Sequence, residues 1–473
     1  MLLARWLGPS ALGLYALGWG AFRLLGLPAT LGLHIGIQRF GSICRARGGA
    51  GGRRLLRTSL RLTLVVSSAL AALFLLASRW LAESVFDNPD LLPILIVFGL
   101  ALPAAALLRV SAAATRVSQD LRASVLLEDF GQPFLFAVLV ATMLSLGGGV
   151  VGAALAAAVS FVVMALPARA WAYRWFPQAP RDEAAATAPT VALGGLLRYS
   201  LPTALAGTVG VTMTWLDRLL VGYYLPTESV GWYQVAAQAS GSFAVVLGAF
   251  SAIFVPMIAG LLERGEQDRL QELFRVATKW GALAVLPGAA LCLVFPGESI
   301  ATIFGEEFVP AAVPLLILVL GQLVNVATGA VGYLLMMSGR PYLWLGLSAA
   351  ALAADCALNV LLIPLYGLGG AAAATAVSVA MLFVGGLIAV RKRLGIWPYD
   401  RRFLGVGATY VAVFAGSAVL RTVEGLEPAT TVVAAVTVAA TLTLAGWRLL
   451  CFDAEDRLLL KRLRQPLVRL LTR

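Results

Sequence analysis

Apolar runs of about 20 residues recur from one end of the chain to the other, separated by short polar stretches. A run of that length can cross a hydrocarbon core roughly 30 Å thick. Backbone groups in lipid must be hydrogen-bonded internally, so each run predicts a helix. Thirteen crossings are expected, at roughly 11–37, 61–82, 91–113, 126–146, 150–169, 200–224, 231–257, 276–295, 312–336, 344–364, 370–390, 403–420 and 429–450. Pro28 and several glycines interrupt the first.

Composition agrees with that pattern. Of 473 residues, 60% are hydrophobic and 13% charged, against about 45–50% and about 25% in soluble domains. A secreted enzyme, a soluble binding module and a disordered chain are excluded. Met1–Ser10 lacks the basic and apolar regions of a cleavable signal peptide.

The formal charge of +12 would suggest nucleic acid in a soluble domain, but its placement points to membrane topology. One set of loops carries the basic residues, from Arg39–Arg61 through Arg109, Arg116 and Arg122 to Arg391–Arg402 and the C-terminal tail. The opposite set carries Glu83, Asp87, Asp90, Glu228, Glu298, Glu306, Glu307, Glu424 and Glu427. The Lys/Arg bias places the first set, and with it the C-terminus, in the cytoplasm, and the N-terminus outside. The cysteines (Cys44, Cys292, Cys356, Cys451) show no metal-site or redox spacing and read as free thiols.

The chain repeats itself. Leu2–Ala16 aligns with Leu220–Gln234 at an offset of 218, matching Gly13 to Gly231 and Tyr15 to Tyr233. Gly152–Ser160 (GAALAAAVS) aligns with Gly370–Ser378 (GAAAATAVS) at the same offset. Six crossings per period put both halves in the membrane in the same sense, as a parallel repeat about the membrane normal. The expected organisation is an N-lobe at 1–169, a cytoplasmic linker at 170–199, a C-lobe at 200–390, two extra helices within 391–450, and a basic amphipathic tail at 451–473. Leu261–Trp280 is also amphipathic and is expected to lie along the membrane before entering it.

Three stretches carry a family resemblance. LLARWLGPSALGLYAL (Leu2–Leu17) is similar to the segment joining the first two helices of the polysaccharide-transporter branch of the multidrug/oligosaccharidyl-lipid/polysaccharide (MOP) exporter superfamily. SLPTALAGTVGVTMTWLDRLLVGYYL (Ser200–Leu225) resembles its seventh helix, and ALNVLLIPLYGLGGAAAATAVS (Ala357–Ser378) its eleventh-to-twelfth boundary. The resemblance implies an all-α polytopic fold like that of the multidrug (MATE) transporters, with two six-helix bundles related by a pseudo-twofold along the membrane normal plus two C-terminal helices. Members have twelve or fourteen helices with both ends in the cytoplasm, so this chain is expected to begin where the first family helix would be finishing. The resemblance also implies a flippase moving undecaprenyl-diphosphate-linked oligosaccharide to the outer leaflet of a bacterial inner membrane. Its partners would be the bilayer, H+ or Na+ as coupling ion and polysaccharide assembly machinery, with no nucleic acid, cofactor or metal and no enzymatic activity.

Such a task needs no nucleophile, and the single histidine, His34, anchors no catalytic set. It needs a polar cavity for a diphosphate, which arginine suits because its planar fork pairs two phosphate oxygens. Ionisable residues within crossings are therefore the candidates. Arg23, mid-way through the first crossing, reads as a phosphate contact or a partner for a carboxylate on another helix. Arg218, Gln322 and Asn325 are further cavity candidates. Asp217, Asp355 and Asn359 are candidates for a coupling-ion site or gate, Asp355 and Asn359 sharing a helix face. Asp217 and Arg218 are neighbours that point in different directions, so they are expected not to pair with each other. Glu128 and Asp129 read as acids favouring a helix start, and Arg39 as a snorkelling side chain. Organic-cation efflux on the same fold and flipping of a lipid II-type precursor are the alternatives. A glycosyltransferase would need larger external loops, the longest here being roughly Pro296–Ala311.

Overall fold

The computed structural model describes residues 2–46, 51–118, 124–176, 193–401, 403–422 and 427–451. The tail beyond 451 and most of the expected linker lie outside these residues. The protein is all-helical, with no strand among the described residues. Among the described residues, ten spans are long and apolar enough to cross a membrane. One of these, Pro341–Leu394, covers two predicted crossings; the predicted crossings 200–224 and 231–257 fall on two long helices outside that set. The predicted runs thus fall mainly on helix, with 11–37 broken at Pro28–Gly32 and 312–336 at Gly329–Ala330. The chain divides into two compact units, Met1–Gly231 and Trp232–Arg473.

The first unit begins with α1 (Leu2–Gly26), bent at Gly8 (φ 73°) beside Pro9. A 3-10 turn, Pro28–Thr30, then breaks the crossing, with Leu31 (φ 48°) and Gly32 (φ 69°) leading into α2 (Leu33–Ala46). The break keeps its polar groups satisfied: Thr30 Oγ1 donates to the Leu27 carbonyl (2.9 Å) and lies 3.1 Å from His34 Nδ1. Then come α3 (Gly52–Trp80) and α4 (Leu92–Thr115), a π-helical turn (Val125–Gly131) running into α5 (Gln132–Ser145), and α6 (Gly149–Trp175).

α3 shows why such helices belong in lipid. Beside Leu55, Leu56, Leu60 and Phe74 its buried residues include Ser59, Thr63, Ser67, Ala71 and Ser78, whereas Leu64, Val65, Leu73 and Leu76 are exposed. A soluble helix buries its large apolar side chains. In a membrane, small residues let helices approach closely and large apolar ones meet lipid tails.

The helix expected to open the C-lobe, α7 (Leu193–Tyr224), falls in the first unit and packs there on α1 and α2. Glycines permit this. A Cβ on Gly32 would come within 2.2 Å of the Ser200 carbonyl oxygen, and one on Gly36 within 2.1 Å of Ser200 Oγ. Arg39, read as snorkelling, lays its guanidinium 4.1 Å from the Tyr199 ring centroid, a cation–π contact to α7.

α8 (Thr227–Glu263) starts in the first unit and runs into the second, which continues with α9 (Gln267–Val294), α10 (Pro296–Phe304), α11 (Ala312–Thr328), α12 (Val331–Met337), α13 (Pro341–Leu394), α14 (Phe403–Arg421) and α15 (Pro428–Gly446). The expected continuous amphipathic segment Leu261–Trp280 is broken: α8 ends at Glu263 and α9 starts at Gln267, with Gly265 (φ 67°) turning the chain between them.

The repeat has a local structural signature. Gly149 (φ 54°) and Gly367 (φ 57°) stand 218 residues apart, and each breaks the chain at the start of a matched GAA segment. At Gly367 α13 divides into two arms. A Cβ on Gly370 would lie 2.1 Å from the Leu362 carbonyl oxygen. Eight residues of straight helix would separate those positions by about 12 Å, so the chain folds back on itself there. In the first unit α4 packs extensively against α6; in the second, α11 packs against α13 in the corresponding way.

Candidate functional site

A cavity of about 360 Å³ lies inside the first unit, bounded by α1, α4, the π turn with α5, α6 and α7. Arg23, in the last turn of α1, lines it. Arg23 has no ion pair or hydrogen bond to any described residue. Arg109, Glu128, Asp129 and Gln132 line the same space.

These charges are graded. Arg116 Nη2 holds Glu128 Oε2 at 3.0 Å, and its contact with Asp129 Oδ2 is 3.8 Å. Arg109 approaches Glu128 only through Nε, at 3.9 Å. That leaves its guanidinium fork without a hydrogen bond among the described residues. Among the described residues three arginines therefore meet two carboxylates around the cavity, and Arg23 is the cation left over. Trp19, Phe22 and Phe161, which also line the cavity, form an aromatic cluster, with Trp19 stacked on Phe161 (centroids 6.2 Å apart, planes at 16°).

The charge pattern predicts Arg109 in a loop and Glu128 and Asp129 as helix-start acids. Arg109 instead sits inside α4, within the predicted crossing 91–113. Its apolar neighbours on both sides were the signal that it faces a cavity.

Asp217 and Arg218 do pair, contrary to expectation. Arg218 Nη1 lies 3.0 Å from Asp217 Oδ1, and the Arg218 backbone N–H donates to the same oxygen at 2.9 Å. Neighbouring Cβ atoms diverge on a helix, but arginine is long enough to fold its guanidinium back along the axis, where it also meets the Thr214 carbonyl and the Trp215 ring. Both residues are buried, at 2% and 6% exposure.

In the second unit, Asn325 Nδ2 donates to Gln322 Oε1 (3.1 Å), so these two share a face as their spacing requires. Asn325 lines a separate cavity of about 310 Å³ walled by Phe250, Phe254, Tyr333, Trp344 and Phe383. Asp355 and Asn359 are buried on the first arm of α13, where Asn359 Nδ2 donates to the Asp355 carbonyl (2.9 Å). Asn359 Oδ1 has no hydrogen-bond partner among the described residues. No cluster of three metal-ligating side chains occurs among the described residues.

Together these features define a multi-span helical membrane protein with a charged cavity in its first unit. Residues 2–313, well over half the chain, match the family described as "Polysaccharide biosynthesis protein", and the chain belongs to that family. Among curated proteins it is 26% identical over 186 residues to a probable low-salt glycan biosynthesis flippase, Agl15, of Haloferax volcanii; the match spans 39% of each chain. Among solved structures it is similar to the lipid II flippase MurJ in an inward closed conformation (TM-score 0.68, 12% identity, 93% of this chain and 97% of that one). It is also similar to an inward-facing MATE-family multidrug resistance transporter of the MOP superfamily (TM-score 0.66, 18% identity, 83% and 93%). The fold is that of the MOP superfamily.

Proposed function

We propose that the protein is a flippase that carries a polyprenyl-diphosphate-linked oligosaccharide, in a bacterial inner membrane the undecaprenyl form, from the cytoplasmic to the outer leaflet by alternating access. One observation carries this reading: Arg23, free of any carboxylate partner among the described residues, lines a cavity inside a membrane bundle alongside the open fork of Arg109. A guanidinium in such surroundings is costly unless an anion visits it, and bidentate pairing with phosphate is the contact arginine makes best. Membership of a polysaccharide biosynthesis family and similarity to a probable glycan flippase support the lipid-linked glycan as cargo.

Transport against a gradient needs a coupling ion. Asp355, with the open amide oxygen of Asn359 one turn away, is the group suited to bind H+ or Na+. Asp217, held by Arg218, suits a gate better than an ion ligand. Export of organic cations is the weaker reading, since Arg116 holds Glu128 and the cavity is lined by Arg23 and Arg109 as well. The test is reconstitution of the full chain in liposomes with a fluorescent lipid-linked oligosaccharide, scoring leaflet transfer under imposed H+ and Na+ gradients. Transfer that responds to one gradient supports the reading, and a glycan that stays in its starting leaflet under both overturns it.

A further inference from the structure

The cavity around Arg23 offers more than cations. Glu128, Asp129, Gln132 and Pro133 all line it although they lie within six consecutive residues. The π turn Val125–Gly131 explains this, because its hydrogen bonds close one residue later than those of an α-helix and widen the turn. The sequence enforces the turn at one position. A Cβ on Gly131 would sit 2.2 Å from the Leu126 carbonyl oxygen, so only glycine fits.

The turn presents acceptors. The Gln132 amide nitrogen is committed to Ser160 Oγ at 2.9 Å, which leaves Oε1 as an acceptor. The Asp129 side chain is 57% exposed, and at 3.8 Å its contact with Arg116 is too long for a hydrogen bond, so its carboxylate oxygens accept none from the described residues. The Trp19–Phe161 pair lines the same cavity. A phosphate needs donors and no aromatic wall. A sugar ring, with hydroxyl donors at its rim and C–H groups on its face, needs acceptors and such a wall.

We propose that Asp129 and Gln132, which share their cavity with Trp19, form a subsite for the sugar next to the diphosphate, so that the cavity distinguishes a glycosylated carrier from a bare one. The subsite rests on the flippase reading, in which Arg23 takes the phosphate.

Two probes test it with the purified full chain: a short-chain polyprenyl diphosphate, and the same molecule bearing one N-acetylhexosamine. Asp129→Asn and Gln132→Leu should each weaken binding of the glycosylated probe about tenfold, the scale of one lost hydrogen bond to a charged or buried group. Binding of the bare probe should stay within about twofold. Arg23→Ala should weaken both probes alike. Equal losses for both probes in the Asp129 and Gln132 variants, or no loss for either, overturn the subsite. Selective losses there, with Arg23→Ala silent, uphold the subsite and overturn the phosphate role of Arg23. If the wild type binds neither probe, both readings fall.

Discussion

Gly13 and Gly231 occupy equivalent positions of the repeat, and each is pressed against the other's helix. A Cβ on Gly13 would lie 2.0 Å from the Thr227 carbonyl oxygen, and one on Gly231 would lie 2.0 Å from the Pro9 carbonyl oxygen. Pro9 and Thr227 are themselves 218 residues apart. The contact is reciprocal, as at a twofold axis where residue i meets j and j meets i. Each side has a small residue one turn after its carbonyl, which is how membrane helices reach backbone-to-backbone distance.

A methyl at either glycine meets backbone, which cannot rotate away. Gly13→Ala and Gly231→Ala should each destabilise the protein by about 1–3 kcal/mol, the usual cost of overpacking. Once one methyl has parted the helices the second finds room, so the double variant should lose less than the sum. Thermal unfolding in detergent, read as a double-mutant cycle, checks both statements.

Gly131→Ala should abolish the π turn rather than merely strain it. Reverting to α-helical spacing rotates Asp129 and Gln132 relative to Arg23. Transport should fall at least tenfold while the folded yield changes little, because neighbouring α5 needs no glycine there. Yield and leaflet transfer, measured side by side, separate site disruption from misfolding.

The Asp217–Arg218 pair should behave as a unit. Asp217→Asn strands a buried guanidinium, a change that costs on the order of 3–5 kcal/mol when one partner of a buried pair is removed. Replacing Arg218 by Gln in the same chain should recover most of that loss. Thermal stability of the single and double variants is the readout.

At the turn between α8 and α9, Arg264 Nε (2.6 Å) and Arg269 Nη1 (2.5 Å) grip Glu266. The Arg264 hydrogen bond, ahead of the Arg269 contacts, holds this carboxyl below the usual carboxylate range. A carboxyl lowered by folding stabilises above its unfolded value, about 4.3, and that stabilisation is lost as pH falls through the folded value. The turn should therefore become protease-sensitive only as pH falls below that unfolded value, and Glu266→Gln should remove that pH step. Limited proteolysis across pH 3–7 tests it.

Much of this was legible in the sequence. Runs of apolar residues marked the long apolar helices because lipid permits only hydrogen-bonded helix there. Gly13, Gly231 and the two GAA segments disclosed the repeat because close backbone contact tolerates nothing larger. The site was only partly legible. Arg23 stood out as a charge in mid-crossing, whereas Arg109 was masked by the basic loop residues that follow it. The Asp217–Arg218 pair escaped because Cβ directions say little about where a long guanidinium ends. Nor does any local pattern announce the π turn; Gly131 marks it only once the Leu126 carbonyl is in place.

The most direct test of the account compares wild type with Arg23→Ala and Arg23→Lys in leaflet transfer of a lipid-linked oligosaccharide. If the unpaired guanidinium holds the diphosphate, alanine should reduce transfer at least tenfold. Lysine, a point charge without the fork, should restore only part of it. Equal transfer by all three proteins would contradict the central claim and leave Arg23 a packing residue.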